Sequence, residues 1–257
     1  MSVIELEVRV PAIAVPRPTR LHLSPPTSPS RLLCTPSSRR IAGIGLAFVA
    51  LALAATYNHG AALLRVDLPI ERWVISQRTD WLDTVVRRIS FLGSTKVVLV
   101  GGLVLALAAW RKCRLVAFLV VAATLSRPLV EHLLKLSVGR ARPDLDRMVP
   151  GVGYSFPSGH VMAAATLWLM VPIVVSLYHP SRRAWWAVTI ASLTMVGLIS
   201  MSRVYLGVHW PIDVLAGTLA AAALLAGLDL GFRWFHDRRH CAGARLDDIA
   251  GPLDRAA

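Results

Sequence analysis

The sequence predicts an all-α, polytopic membrane protein, a bundle of six transmembrane helices with an outer amphipathic helical segment. Of its 257 residues, 55% are hydrophobic, and the mean hydropathy is +0.56. Only 17% are charged, whereas soluble proteins average about 25%. This composition excludes a disordered chain and argues against an ordinary cytosolic enzyme. Apolar stretches of nearly membrane-spanning length, separated by arginine-rich loops, set the number of spans.

The chain is strongly basic, with a net charge of +13 from 28 Lys and Arg against 15 Asp and Glu. In an apolar chain, such charges are typical of the loops between membrane spans. Neither a glycine-rich nucleotide loop nor a basic stripe with interleaved aromatics is present in the sequence, so we expect no nucleic-acid partner. Cys34, Cys113 and Cys241 are far apart and predict neither a disulfide framework nor a zinc site.

Three segments divide the chain. Residues 1–40 are rich in Pro, Ser and Arg and are predicted to form a flexible cytoplasmic tail, because they cannot bury enough apolar surface. Residues 41–232 are predicted to form the six-helix membrane domain, and residues 233–257 a basic cytoplasmic tail. The predicted spans are about Ile41–Tyr57, Ser94–Trp110, Leu115–Leu136, His160–Tyr178, Ala184–Met201 and Ile212–Phe232.

The basic clusters predict the orientation in the membrane. They precede the first span, separate the second from the third and the fourth from the fifth, and follow the sixth. Six crossings place all of them on one side, which the positive-inside rule makes the cytoplasm. We therefore expect a plasma (inner) membrane protein with both termini cytoplasmic.

The segment between the first two spans, Asp67–Ile89, has apolar residues at helical spacing, and Asp80 is a candidate cap for its second half. It is either one or two amphipathic helices in the outer interface or a packed connecting loop.

Three loops on the predicted outer side contain residues that suit phosphate chemistry. They contain Lys135 with Arg142-Pro143, then Pro157-Ser158-Gly159-His160, then Ser202-Arg203 followed by His209 and Asp213. Arginine forks and a lysine point charge suit an anionic oxygen cluster. Ser158 and Gly159 precede a helix, whose N-terminus is an anion site. The topology brings these residues to one depth in the membrane and predicts a phosphate pocket.

Two histidines supply the reactivity of this pocket. Neutral imidazole is a nucleophile near pH 7. His209 and Asp213 are four residues apart, so on a helix they share a face, and the carboxylate can orient the ring toward phosphorus. His160 lies in another loop and could protonate a leaving alkoxide.

In their order and internal spacing, these motifs resemble the type-2 phosphatidic acid phosphatase superfamily, whose pattern is K-x6-RP, PSGH and SR-x5-H-x3-D. The resemblance covers about Asp67–Phe232. It implies that His209 forms a phosphohistidine, that Asp213 orients it and that His160 is the general acid. It also implies that no metal or other cofactor is needed. The phosphate-binding residues that it implies are Lys135, Arg142, Ser158, Gly159 and Arg203.

The implied substrate is a lipid phosphate or diphosphate, with the site facing the extracytoplasmic side. We favour polyprenyl diphosphate slightly over phosphatidylglycerophosphate and phosphatidate, since an outward site suits recycling of a carrier lipid. Two alternatives remain. Vanadium-dependent haloperoxidases share the pocket chemistry, although those known are soluble. A non-catalytic lipid-phosphate-binding or lipid-transporting membrane protein could also retain the pocket.

Other charged residues near the motifs are given supporting roles. Arg140 is interpreted as a solvated loop arginine in preference to a second phosphate contact. Arg127, Glu131 and Lys135 recur every fourth residue and share one helix face. We expect Glu131 to neutralise Arg127 and to position Lys135, because ionisable groups within a membrane are costly unless paired. The sequence does not indicate an oligomeric state.

Overall fold

The computed structural model describes residues 43–50, 52–53, 61–179 and 181–238, and the regular structure in these ranges is entirely α-helical. Residues 43–50 and 52–53 are helical. The helices that follow are α1 (Ala61–Ser76), α2 (Asp80–Phe91), α3 (Thr95–Trp110), α4 (Arg114–Val138), α5 (Gly159–Ser176), α6 (Arg182–Tyr205) and α7 (Pro211–Arg238). The predicted N-terminal tail lies outside the described residues, as does most of the predicted C-terminal tail.

Several of these helices are suited to crossing a membrane. The helices α4, α5 and α6, together with Pro211–Phe232 of α7, are long and apolar enough to span it. With 16 residues, α3 rises only about 24 Å, less than the roughly 30 Å hydrocarbon core. Joined to α2, which meets it at a 46° bend, it makes a fifth candidate. The all-α, multi-pass prediction is therefore confirmed, while six spans stay a prediction because residues 41–42, 51 and 54–57 are outside the described ranges.

The helix boundaries follow local capping chemistry. Ser94 and Ser181 precede α3 and α6, and their hydroxyls accept the backbone N–H groups of Val97 and Ala184. Gly139, at φ 62°, ends α4 in the left-handed conformation. The described starts of α3 to α7 lie within two residues of the predicted spans. At its other end, α7 continues to Arg238, six residues into the segment predicted as a tail.

The segment predicted to lie in the outer interface forms two helices, α1 and α2, rather than a packed loop. Thr79 occupies the N-cap position of α2 without a side-chain capping bond, so the expectation that Asp80 is the cap is wrong. Arg78, in the turn between them, donates to the carbonyl of Tyr205 at the end of α6. It also pairs with Asp146 at 2.8 Å. These contacts fix the α1–α2 turn against the loop 139–158.

Helix α5 is at the centre of the bundle. It contacts α3, α4, α6 and α7. Of its 18 residues, 61% are buried, against 17% of an 18-residue apolar stretch of α6. A close crossing by α7 depends on Gly217, where a Cβ would come within 2.8 Å of the Ser158 carbonyl oxygen. Ser158 N–H donates to the Asp213 carbonyl at 3.0 Å across this crossing. The start of α7 is thereby held beside the start of α5.

Candidate active site

A cavity of about 210 Å³ lies among α3, α4, α5, α6 and the loops 139–158 and 206–210. Its lining residues are Thr95, Arg127, Glu131, Lys135, Arg142, Pro150, Gly151, Val152, Gly159, His160, Arg203 and His209. Six of the eight residues predicted for the site therefore share one cavity. The other two, Ser158 and Asp213, are fully buried behind its wall.

His209 is oriented between an acid and a cation. Its Nδ1 lies 3.7 Å from Oδ2 of Asp213, beyond hydrogen-bond distance, and Nδ1 has no hydrogen-bond partner among the described residues. Its Nε2 lies 3.2 Å from Nη1 of Arg142. The predicted proximity of the two side chains is thus present, with the carboxylate on the Nδ1 side of the ring. It does not come from a shared helix face, because His209 lies in the loop 206–210 and α7 begins only at Pro211. Nε2 is the nitrogen on the side of the cavity-lining Arg142.

Burial keeps His209 neutral. It lowers the pKa of His209 from its usual 6.5 to about 4, with Arg142 and Arg203 acting in the same direction and Asp213 opposing them. An imidazole in this state carries a free lone pair at neutral pH, which a nucleophile requires.

Arg142 clamps the loop around the histidine. Its guanidinium donates to the carbonyls of Val152, Gly153, Tyr154 and Val208. Burial lowers the pKa of Arg142, and Asp213 opposes this shift, but an arginine remains charged under ordinary conditions. Because the protein already engages these donors, Arg142 contacts a phosphoryl group only by exchanging some of them. Among its contacts, Nη1 of Arg142 lies directly beside Nε2 of His209.

Lys135 and Arg127 share Glu131. Arg127 donates to the Glu131 carboxylate, and Lys135 Nζ lies 3.7 Å from its other oxygen. Lys135 also donates to the carbonyls of Tyr154 and Pro157, at 3.0 and 3.1 Å. The structure agrees with the pairing expected along this helix face. It adds that Arg127 and Glu131 line the cavity themselves.

The start of α5 forms another wall. Gly159 lies so close to Glu131 that a Cβ there would be 2.1 Å from Oε1, so this position has no room for a side chain. Ser158 is the N-cap residue, but its hydroxyl makes no capping bond, and within the described part of the chain this buried hydroxyl has no partner. His160 is half-buried at the second position of the helix. These residues lie where first-turn N–H groups favour an anion.

Arg203 is held from the other side of the bundle. Its Nη1 donates to Ser90 Oγ of α2 at 2.6 Å, and only 7% of the residue is exposed. Its Nε has no hydrogen-bond partner among the described residues. Ser90 therefore fixes one end of the guanidinium of a residue that lines the cavity.

Arg140 is not the solvated loop arginine that we expected. It is only 8% exposed and pairs with both Asp213, at 2.8 Å, and Asp67 of α1. The expectation fails because two buried carboxylates, each distant in sequence, compensate the charge that would otherwise draw this side chain to water.

Sequence reasoning also missed two residues that hold the site, Asp67 and Ser90. A weak signal existed for the first, since Asp67 and Glu71 are one helical turn apart and so share a face of a largely apolar segment. The serine gives no signal of its own. Within the described residues, no group of three or more His, Cys, Asp or Glu is placed to hold a metal ion.

A family model and a curated relative match the chain. Residues 115–239 match the model of the PAP2 superfamily. The chain is 31% identical over 193 residues to phosphatidylglycerophosphatase B of Bacillus subtilis, which covers 72% of this chain and 92% of that protein. It is also 42% identical to the undecaprenyl-diphosphatase of Sulfolobus acidocaldarius, but over only 66 residues, 26% of this chain and 28% of that protein.

A solved structure has a similar fold. It is the crystal structure of a transmembrane PAP2-type phosphatidylglycerolphosphate phosphatase from Bacillus subtilis, with a TM-score of 0.67 and 27% sequence identity. The superposition covers 79% of this chain and 98% of that one.

Proposed function

The chain belongs to the PAP2 superfamily and is a metal-independent membrane lipid phosphatase; from that premise we propose that it hydrolyses phosphatidylglycerophosphate through a phosphohistidine at His209. The observation that carries the proposal is the arrangement around this imidazole. It is neutral, it has Asp213 on its Nδ1 side, and it shares a cavity with the cations Lys135, Arg142 and Arg203.

In the first step, Nε2 of His209 attacks phosphorus and the bond from phosphorus to the lipid oxygen breaks. The leaving alkoxide takes a proton from His160, which lines the same cavity. Attack makes His209 cationic, and the nearby carboxylate of Asp213 stabilises that charge. A phosphoryl oxygen takes the place of His209 Nε2 beside the Arg142 guanidinium. Lys135 and Arg203 bind the phosphoryl oxygens electrostatically.

In the second step, water attacks the phosphohistidine. His160, now neutral, accepts a proton from this water, and the bond between phosphorus and Nε2 breaks to release inorganic phosphate. The electron pair returns to His209, which is neutral again. No metal is needed, because the three cations and the start of α5 offset the phosphoryl charge.

The choice of phosphatidylglycerophosphate reverses the order favoured from the sequence. Support comes from the relative named phosphatidylglycerophosphatase B, which is matched over 92% of its length, whereas the undecaprenyl-diphosphatase is matched over 28%. Polyprenyl diphosphate is thus the second candidate. We place the cavity on the extracytoplasmic side and both termini in the cytoplasm, on the strength of the basic clusters.

The test is phosphate release by purified protein in detergent with EDTA. Phosphatidylglycerophosphate, polyprenyl diphosphate and phosphatidate are offered in parallel. We expect the highest kcat/KM for phosphatidylglycerophosphate and a loss of more than about 1,000-fold in His209→Ala. His132→Ala is the matched control, because His132 is exposed on α4 and does not line the cavity.

Two outcomes would overturn the proposal. Release that survives in His209→Ala would remove the nucleophile assignment. A folded wild-type protein that releases phosphate only from polyprenyl diphosphate would overturn the substrate and favour the second candidate.

A further inference from the structure

A buried ion triad lies behind the histidine, on the side away from the cavity. Arg140 donates from Nη1 to Oδ1 of Asp213 at 2.8 Å and from Nη2 to Oδ2 of Asp67. The arginine side chain is 7% exposed and both carboxylates are fully buried. The guanidinium also lies over the ring of Trp210, 5.4 Å from its centroid. The triad therefore joins α1, the loop 139–158 and the start of α7 in a water-excluded region.

Each oxygen of Asp213 has its own partner. Oδ1 accepts from Arg140, while Oδ2 accepts the Trp210 N–H at 3.0 Å and lies 3.7 Å from His209 Nδ1. A carboxylate held at both oxygens cannot rotate without breaking a buried hydrogen bond. Arg140 thus fixes which oxygen of Asp213 lies next to the imidazole.

Asp67 holds the arginine in turn. Its Oδ1 accepts the Ile212 N–H at 3.0 Å, so this residue is fixed to the first turn of α7, and its Oδ2 accepts from Arg140. One cation is therefore shared by two carboxylates. The share of its charge that offsets Asp213 depends on whether Asp67 is present.

We propose that Arg140 and Asp67 are positioning residues of the phosphatase reaction, which aim the Asp213 carboxylate at His209 and set how much negative charge it presents. The inference rests on the proposed role of His209 as nucleophile. Neither residue lines the cavity, so both act through Asp213 and not on the substrate.

The charge effect has a definite sign. Without Arg140, the negative charge of Asp213 is less compensated and stabilises the imidazolium of His209, so the histidine protonates at a higher pH. Without the Asp67 charge, Arg140 offsets Asp213 more fully, and the histidine protonates at a lower pH. Opposite shifts are not expected from a residue that only supports the fold.

Other charged groups around the two centres stay in place in these variants. His209 is also faced by Arg142 of the loop, Arg203 of α6 and His160 of α5. Asp67 also interacts with Glu71 of its own helix, whose carboxyl has no hydrogen-bond partner within the described residues. Because these groups are common to wild type and variants, differences between the pH profiles come from the change made in the triad.

The test measures kcat, KM and the pH dependence of kcat/KM for Arg140→Met, Arg140→Lys and Asp67→Asn. The full-length protein in detergent is used with one lipid phosphate, so that substrate ionisation is the same throughout. For Arg140→Met we expect kcat to fall by about 10–100-fold, as for partners that orient an active-site group, with KM nearly unchanged. We also expect the acid limb of its kcat/KM profile, where activity falls as His209 becomes protonated, to move to higher pH. Arg140→Lys should recover part of kcat, and Asp67→Asn should move the acid limb to lower pH.

Two controls match the substitutions. Arg147→Gln removes an arginine from the same loop, whose ion-pair partner among the described residues is the exposed Asp144. Glu71→Gln places an amide on the same buried turn as Asp67→Asn. Both should retain the wild-type kcat, and Arg147→Gln should retain the wild-type profile. If Arg140→Met does not fold, two results decide the matter: the shift of the acid limb of Asp67→Asn to lower pH relative to Glu71→Gln, and a kcat of Arg140→Lys below that of Arg147→Gln.

The inference is overturned if the triad variants keep the wild-type kcat, or if they lose activity with acid limbs that do not move. Failure of the proposed function looks different. In that case the wild-type protein releases no phosphate, or His209→Ala remains active. An active wild type with an inactive His209→Ala and unmoved acid limbs would reject the triad alone.

Discussion

The contact between Gly159 and Glu131 gives the sharpest test of the packing around the cavity. A Cβ at Gly159 would be 2.1 Å from Glu131 Oε1 and 2.6 Å from its Cδ, whereas ordinary contact begins at 3.4 Å. Gly159→Ala therefore forces the carboxylate to retreat by about 1.3 Å, the difference between 2.1 and 3.4 Å. That movement pulls it away from Arg127, which is 6% exposed and depends on this acid for charge compensation.

The expected cost follows from two known effects. Overpacking a well-packed site costs about 1–3 kcal/mol, and complete loss of a buried ion-pair partner costs about 3–5 kcal/mol. Since the pair is stretched and not deleted, we expect Gly159→Ala to lower the free energy of unfolding by about 2–4 kcal/mol. Phosphate release should fall as well, because Glu131 also lies beside Lys135.

A second substitution tests the cause. Glu131→Asp shortens the side chain by one methylene, roughly the 1.3 Å that the added Cβ requires. The double variant should therefore be more stable than Gly159→Ala alone, with a coupling energy of about 1–2 kcal/mol. Unfolding in detergent measures all three proteins. Gly197→Ala is the control, because a Cβ there has nothing within 4 Å and should be neutral or stabilising.

Simple additivity would refute this reasoning. If Glu131→Asp and Gly159→Ala destabilise independently, the two side chains do not compete for the space that the structure gives them. A Gly159→Ala protein as stable as Gly197→Ala would refute it equally.

Three further predictions concern charge and chemistry. Because burial lowers the pKa of His209 to about 4, the unfolded chain takes up a proton between about pH 6.5 and pH 4 that the folded one does not. The free energy of unfolding of the wild type, measured relative to that of His209→Gln, should therefore fall by about 3 kcal/mol as the pH drops through that window; equal slopes in the two proteins would contradict this. Burial raises the pKa of Glu71 to about 7, which acts in the opposite sense in both proteins, so their difference isolates the histidine. Arg142→Lys should lower the free energy of unfolding by about 1.5–3 kcal/mol, since a lysine replaces no more than three of the four bonds to carbonyls and each bond to a charged group contributes about that much; a stability equal to wild type in chemical unfolding would contradict the role of Arg142 in holding this loop. Activity should be unchanged by EDTA and inhibited by vanadate, whereas activity lost in EDTA and restored by magnesium would contradict a metal-free site.

The helical layout and most of the pocket could be predicted from the sequence. Apolar length located α3 to α7 to within two residues at their starts, because membrane spanning imposes a strict length and composition. Spacing within the motifs was equally informative. The spacing of His209 and Asp213 predicted their proximity, and the structure places the two side chains together, although His209 lies in the loop before α7 begins at Pro211 and so does not share a helix face with Asp213.

The features that the sequence analysis assigned wrongly or missed depend on contacts between residues that are far apart in the sequence. Arg140 is 73 residues from each of its partners, Asp67 and Asp213, and neither local periodicity nor spacing encodes such a pairing. Ser90 is 113 residues from Arg203. An arginine in a loop is usually solvated, so its burial becomes apparent only when the packing of α1 against α7 is known.

The phosphohistidine is the central claim, and trapping it is the most direct measurement. The purified protein is mixed with a lipid phosphate labelled in its terminal phosphoryl group and quenched within milliseconds in alkali, which preserves a phosphorus–nitrogen bond. We expect a labelled wild-type protein whose label maps to His209, is lost in acid and is absent from His209→Ala. Steady turnover by the wild type with no protein-bound label at any quench time, or a label that persists in His209→Ala, would contradict the phosphohistidine.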